Sequence, residues 1–317
     1  MSEAHIKPAG LRLRLPATSA NLGPGFDAAA IALDFYLEVE AEAAAAGAAA
    51  EFSIAATGLN ADRCGRLEDN LVIETYKKIL IAAGKPVQTL AIRMHNGIPL
   101  AMGCGSSAAG RLAAIAMAVH FGELGWDTAR ILYEAYLLEG HPDNVAACWL
   151  GGFVAAACKD KTVHVARVIP PEAWRAIIVF PADSLSTSKA RAVLPTSYSL
   201  DDVVANIQAV SMLGLAFAQA RKDLLGAAMT DRIHQPYRAP ICTLLPQVLP
   251  LVGANGIIGA ALSGAGPAVL VVVESAETVR DASTAILNAA GSSQQVNLQE
   301  CRFVHMGTIL DTTAQKV

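Results

Sequence analysis

The chain has 317 residues, of which 53% are hydrophobic and 16% charged, and a formal net charge of −4. That length exceeds one ordinary core and predicts two domains, and the large apolar share excludes a disordered chain. The mildly acidic balance gives no footing for a polyanion binder, so neither nucleic acid nor a membrane is expected as a partner.

Residues 11–15 alternate leucine with arginine, the period of a half-exposed strand. Residues 16–27 read as a polar loop dense in turn formers, with Asn21 and Asp27 flanking a rigid Gly23-Pro24-Gly25 turn. Side chains so held either cap the turn or receive a small polar ligand. Residues 35–41 and 52–57 read as strands, the second returning beside the first through an alanine-rich tip at 43–50. Asp69 or Asn70 is placed to cap an apolar helix over 71–83, closed by Gly84.

A strand over 90–94 leads into the run that organises the chain, Pro99-x-x-x-Gly103-Cys104-Gly105-Ser106-Ser107-Ala108, followed by an apolar helix to about residue 122. The first N–H groups of a helix lack internal partners and sit at the positive end of its dipole, so a glycine-rich loop there favours a bound phosphate. Arg111 and His120 are the only ionisable residues of this helix, which predicts that it is buried. Asp127 or Thr128 caps the next helix, which ends in Glu139-Gly140-His141-Pro142-Asp143-Asn144. The helix dipole opposes a carboxylate at a C-terminus. Glu139 therefore reads either as a metal ligand or as a solvated helix end.

Residues 152–158 and 163–168 predict a hairpin, and Pro170-Pro171 marks a boundary between domains at 10–171 and 172–312. Beyond it come a strand at 176–180 and a polar loop at 184–191. A long helix follows, opened by a Ser199/Asp202 capping box. Residues 231–238 read as a solvated loop. The uncharged stretch 256–273 has internal glycines and a proline, so it reads as two buried strands around Gly264-Ala265-Gly266-Pro267 rather than a membrane span. A helix at 277–289 and a last strand at 302–306 complete an open α+β sandwich. Six scattered cysteines without a C-x-x-C pair predict buried free thiols, and the polar first ten residues hold no apolar signal core, so a cytoplasmic location is expected.

Three phosphate-loop chemistries compete. A Walker A loop requires a lysine, and none is present. A dinucleotide fingerprint fits Gly103-x-Gly105-x-x-Ala108, with Glu123 about 20 residues on, but Pro99 and a polar stretch separate the loop from its strand. The third chemistry is a serine-bearing loop that joins a metal to a nucleotide phosphate.

The motif from Pro99 to Ala108 resembles the second motif of the GHMP kinases, the galactose, homoserine, mevalonate and phosphomevalonate group, and Ser263-Gly264-Ala265-Gly266-Pro267 resembles their third. Residues 16–27 and 139–144 resemble the homoserine-directed members. The chain departs at Cys104, where leucine is usual, a modest apolar swap at a position served mainly by backbone. The resemblance implies a two-domain α+β GHMP fold: an N-terminal domain with a left-handed βαβ crossover, a ferredoxin-like C-terminal domain, and the active site in the cleft between them. It implies ATP-dependent phosphorylation of the L-homoserine hydroxyl in threonine biosynthesis.

By the same resemblance, Pro99 and the loop residues Gly103, Cys104, Gly105, Ser106, Ser107 and Ala108 hold the ATP phosphates, and Asn70 contacts adenine. Ser107 and Glu139 ligate Mg²⁺. Arg191 and Arg238 take the substrate carboxylate, Asn21, Asp27 and Thr187 its ammonium, and Gly264 lines the same site. His141, Asp143 and Asn144 border the reacting hydroxyl. An asparagine stands where most of the group place an aspartate base, which implies catalysis by alignment; Asn144→Asp tests whether the site can use a base. A homodimer is expected because such proteins often form one. The competing readings are a mevalonate or cytidyl-methylerythritol kinase, a dinucleotide-binding oxidoreductase and a non-catalytic binding protein.

Overall fold

Leu11, Leu13 and Leu15 are buried while Arg12 and Arg14 are exposed, so the opening alternation fixes one face of a strand. The computed structural model describes residues 10–44, 51–291 and 295–313. In it this strand, β1 (Gly10–Asn21), runs antiparallel to the long β2 (Gly25–Ala43). The expected loop over 16–21 is therefore strand. Its backbone pairs continue from Ala17↔Leu33 to Ala20↔Ala30, after a register shift at Pro16/Ala17. Thr18 and Ser19 are fully buried, so the polar side chains here lie inside the molecule and not in a solvated turn. The turn itself is confined to residues 22–24.

Residues 45–50, part of the expected hairpin tip, lie outside the described residues. β3 (Ser53–Gly58) does not return beside β2. It pairs in parallel with β4 (Leu90–Asn96), which lies between the two. Parallel pairing needs a crossover, and α1 (Ala61–Cys64) with α2 (Leu71–Ala82) supplies it. α3 (Ser106–Phe121) has eleven buried residues spread around its circumference, as its apolar sequence predicts. α4 (Thr128–Glu139) is capped by Asp127.

α5 (Asp143–Leu150) was not foreseen, because Gly140 and Pro142 read as breakers. Gly140 does end α4 in the left-handed region, but Pro142 sits just before α5, where its missing N–H costs nothing. β5 (Phe153–Lys159) and β6 (Thr162–Val168) form the predicted hairpin, with β5 on β2.

The second half runs β7 (Arg175–Pro181), α6 (Thr187–Ala192), α7 (Leu200–Ala218), α8 (Lys222–Ala228), α9 (Gln235–Arg238), α10 (Leu245–Val248), β8 (Ile257–Leu262), β9 (Val269–Val273), α11 (Val279–Ala290) and β10 (Val296–Cys301). Its antiparallel sheet has the order β10-β7-β9-β8, the ferredoxin-like arrangement in which the first strand lies between the fourth and third. The stretch 256–273 is indeed two strands and a turn. α7 is long and apolar enough by length and composition to cross a membrane; it is capped by Ser199 and leaves Leu200, Val204, Ile207 and Leu215 exposed.

The last strand differs from expectation. Residues 296–301 pair with β7, and the chain then crosses back. Phe303 bridges to Leu33, and β11 (Ile309–Thr313) pairs with β1 in the first sheet. β7 joins the halves: Ala176, Ile178 and Phe180 enter the core of the first half, while Ile177 and Val179 enter a second core beneath α10 and α11. Burial on both faces explains its unbroken apolar run.

Candidate active site

Gly103 and Gly105 adopt φ of +81° and +70°, where a side chain is strained. A Cβ on Gly103 would stand 2.0 Å from the Ser263 carbonyl oxygen, so only glycine lets this loop meet the turn of the second half. Gly105 is the N-cap of α3 and has no side chain to bond the first N–H groups, which stay available to a ligand. The loop borders a cavity of about 630 Å³ lined from both halves. Ser263 Oγ donates to Gly103 O at 2.8 Å, and Gly264 N donates to Ala20 O at 3.0 Å.

At the start of α3, Ser107 Oγ donates to Glu139 Oε1 at 2.7 Å. Arg111, one turn along, pairs with the same oxygen at 3.1 Å and also donates to the Leu138 carbonyl. The dipole penalty on a carboxylate at the α4 C-terminus is thus offset by a fixed cation. Beyond Gly140, His141 Nδ1 lies 2.6 Å from Asp143 Oδ1, which also accepts from Asn144 N at 2.6 Å. Burial lowers the His141 pKa, but the hydrogen bond to Asp143 and the charges of Asp143, Asp27 and Glu139 outweigh it and leave the pKa raised. One ligand atom each from Asp27, His141 and Asp143 lies within 4.8 Å of the others, a cluster that suits a cationic group.

The same cavity carries two guanidiniums. Arg191 Nη2 donates to Asp27 Oδ1 at 2.6 Å. Arg238 is 1% exposed. Its Nε donates to Ala190 O at 3.0 Å, and its Nη1 faces Gly264 O at 3.4 Å and His234 Nδ1 at 3.2 Å. His234 Nε2 donates to Gly23 O at 2.8 Å, so Nδ1 must be the acceptor and the ring neutral. Burial is the largest influence on His234 and pushes its pKa down, with help from the Arg238 charge. Asp231 accepts from the backbone N–H groups of Ile233, His234 and Gln235. The expected solvated loop over 231–238 is therefore a buried bracket whose polar residues bond one another. Arg191 and Arg238 each lie 5.3 Å from the centroid of the Phe26 ring. Burial and the neighbouring Arg191 charge lower the Arg238 pKa, so the pair gains from an anion placed between them.

Two family models match the chain: "GHMP kinases N terminal domain" over residues 70–152 and "GHMP kinases C terminal" over 215–293. A homoserine kinase of Solibacter usitatus is 43% identical over 83% of this chain and 84% of its own length. The chain belongs to the homoserine kinase family of GHMP kinases. A second homoserine kinase, from Moorella thermoacetica, is 38% identical over 81% of this chain and 86% of its own. The crystal structure of homoserine kinase from Cytophaga hutchinsonii shares the fold, with a TM-score of 0.78 at 24% identity over 98% of this chain and 100% of that one.

The structure brings the family's expected site residues to one cavity. Asn21, Asp27, Asn70, Thr187, Gly264, both arginines, Glu139 to Asn144 (Gly140 and Pro142 apart) and the loop from Gly103 to Ala108 all line it. Pro99 is absent from its wall. Asn70 needs a correction. Its Oδ1 accepts from Val72 N and Ile73 N, and its Nδ2 donates to Cys64 O and Arg66 O, so its side chain has no hydrogen bond left for adenine. Asn21 donates one amide N–H to Gly264 O and accepts from Asp27 N, two of the four hydrogen bonds its amide can make. Thr187 opens α6, a helix where a loop was expected, because Ser186 caps it. Cys104 is buried, which pushes its thiol up to about 12 and leaves it inert.

Glu123 is exposed past the far end of α3, about 24 Å from the loop at 1.5 Å per residue, too far to hold a ribose as the dinucleotide reading requires. Arg111, Thr18, His234 and Asp231 were missed. Arg111 contacts Glu139, Thr18 contacts Asn144 and His234 contacts Arg238, while Asp231 holds the backbone around His234; only Arg111, a lone charge in an apolar helix, stood out from its sequence neighbours.

Proposed function

We propose that the protein transfers the γ-phosphoryl group of ATP to the hydroxyl of L-homoserine, giving O-phospho-L-homoserine for threonine synthesis. The observation that carries this reading is the pairing of two opposed charge sets in one cavity: Arg191 and Arg238 over Phe26, against the carboxyl groups of Asp27 and Asp143 that flank His141. An amino acid presents that combination, a carboxylate and an ammonium on one carbon. Mevalonate has no ammonium, and a cytidylated substrate has no α-carboxylate.

Ser107 Oγ and Glu139 Oε1, 2.7 Å apart at the N-terminus of α3, form a hard-oxygen pair that fits Mg²⁺. The ion supplies neutralisation of phosphate charge when bound. The loop N–H groups hold phosphate oxygens, and Arg111 keeps Glu139 in place. On homoserine binding Arg191 exchanges its Asp27 contact for the substrate carboxylate, which frees Asp27 for the ammonium. Asn144 cannot take a proton near neutral pH, so it aligns the hydroxyl, whose proton leaves to water or to the phosphate.

The test is ADP release with L-homoserine, mevalonate and galactose in parallel. Homoserine-dependent ADP release alone is expected. ADP release with mevalonate or galactose but none with homoserine contradicts the reading.

A further inference from the structure

Thr18 is fully buried in β1, behind the cavity wall and not on it. Its backbone N–H donates to Cys104 O in the phosphate loop at 3.1 Å. Its Oγ1 donates to Asn144 Oδ1 at 2.6 Å. A Cβ on Gly105 would fall 1.9 Å from that Oγ1, so the glycine at the N-cap of α3 clears the space through which the hydroxyl reaches the amide. One residue thus touches both the loop that receives phosphate and the side chain that faces the reacting group.

The other side of the amide settles which way it points. Asp143 Oδ1 lies 3.4 Å from Asn144 Nδ2 and 2.6 Å from Asn144 N. An ionised carboxylate only accepts, so the edge of the amide toward Asp143 must be the NH₂ group. The carbonyl edge is then the one toward Thr18, whose hydroxyl donates to it. The Thr18 bond takes one of the two carbonyl lone pairs and holds that edge on the buried side, so the N–H not turned to Asp143 is the group Asn144 offers to the cavity it lines.

We propose that Thr18 is a positioning residue for phosphoryl transfer: its hydroxyl locks Asn144 so that an amide N–H, and not the carbonyl, meets the substrate hydroxyl. This rests on the homoserine kinase reading above. The lock makes Asn144 a donor to the hydroxyl oxygen, which holds a lone pair toward the phosphoryl group and leaves the proton free to depart on another side. Without it the amide can rotate and present its carbonyl, which would hold the hydroxyl by its proton and turn the lone pair away.

The experiment is steady-state ADP release by wild type, Thr18→Val, Thr18→Ser, Asn144→Ala and the Thr18→Val/Asn144→Ala double variant, with kcat and both KM values for each. Thr18→Val keeps shape and removes the hydroxyl; it is expected to lower kcat about tenfold while both KM values stay within about twofold. Thr18→Ser restores kcat to within about threefold of wild type. In the Asn144→Ala background Thr18→Val has no further effect on kcat, because the amide it positions is gone. A Thr18→Val kcat within about twofold of wild type overturns the proposal, as does an equal kcat loss with and without Asn144, the mark of a merely structural residue. If wild type releases no ADP with homoserine, the functional reading falls and the proposal with it. Normal wild-type turnover with an unaffected Thr18→Val variant defeats the proposal alone.

Discussion

Gly103 and Arg238 border one cavity, on either side of Gly264, and are held there by different means. The Gly103 wall is backbone: positive φ, uncapped N–H groups, and a carbonyl of the second half so close that no side chain fits. The Arg238 wall is side chain: a buried guanidinium steered by Ala190, His234 and Gly264, with His234 held in turn by Gly23. The backbone wall needs a few residue types in fixed order and is generic toward phosphate. The side-chain wall needs partners from distant parts of the chain and selects the substrate. Damage to the first should strike every ligand, and damage to the second only homoserine.

The largest expected effect is on the backbone wall. Gly103→Ala puts a methyl into a strained φ and against Ser263 O, so kcat/KM for both substrates should fall about 100-fold or more, with a lower melting temperature. Loss for homoserine alone would break the comparison. Next, Arg238→Lys loses the planar fork and the bond to Ala190 O. The homoserine KM should rise about 30-fold while the ATP KM holds, read from ADP release.

Asn144→Asp should lower kcat about tenfold and not raise it. The new carboxylate would face Asp143 where an amide N–H now points, and two like charges there cannot both ionise. Last, Asn70→Ala should cost about 1 kcal/mol as a lost helix cap, about 2 °C in melting temperature, with the ATP KM within about twofold. A large rise in that KM would return Asn70 to the adenine site.

The same contrast decides what the sequence made legible. The loop from Gly103 to Ala108 was readable because glycines, serines and a following apolar helix are local signals of backbone exposure. Most strands, the Asp127, Asn70 and Ser199 caps and the 264–267 turn were readable for the same reason. Residues 231–238 were misread as solvated because nothing local shows that Asp231 spends its carboxylate on three backbone N–H groups, or that His234 reaches Gly23 across 211 residues. Residues 16–21 read as a loop because Thr18, Ser19 and Asn21 are polar, although all three are buried in a strand. β11 and α5 were hidden by tertiary pairing and by a proline whose position, not its presence, decides whether a helix starts. Arg191 and Arg238 came from the family resemblance; their meeting over Phe26 needed the fold.

The most direct test of this division is ADP release with L-homoserine against its carboxamide, which keeps the ammonium and the hydroxyl but removes the carboxylate charge. The two-arginine wall predicts a kcat/KM about 100-fold lower for the amide, with the ATP KM unchanged. Equal kcat/KM for the two would contradict it.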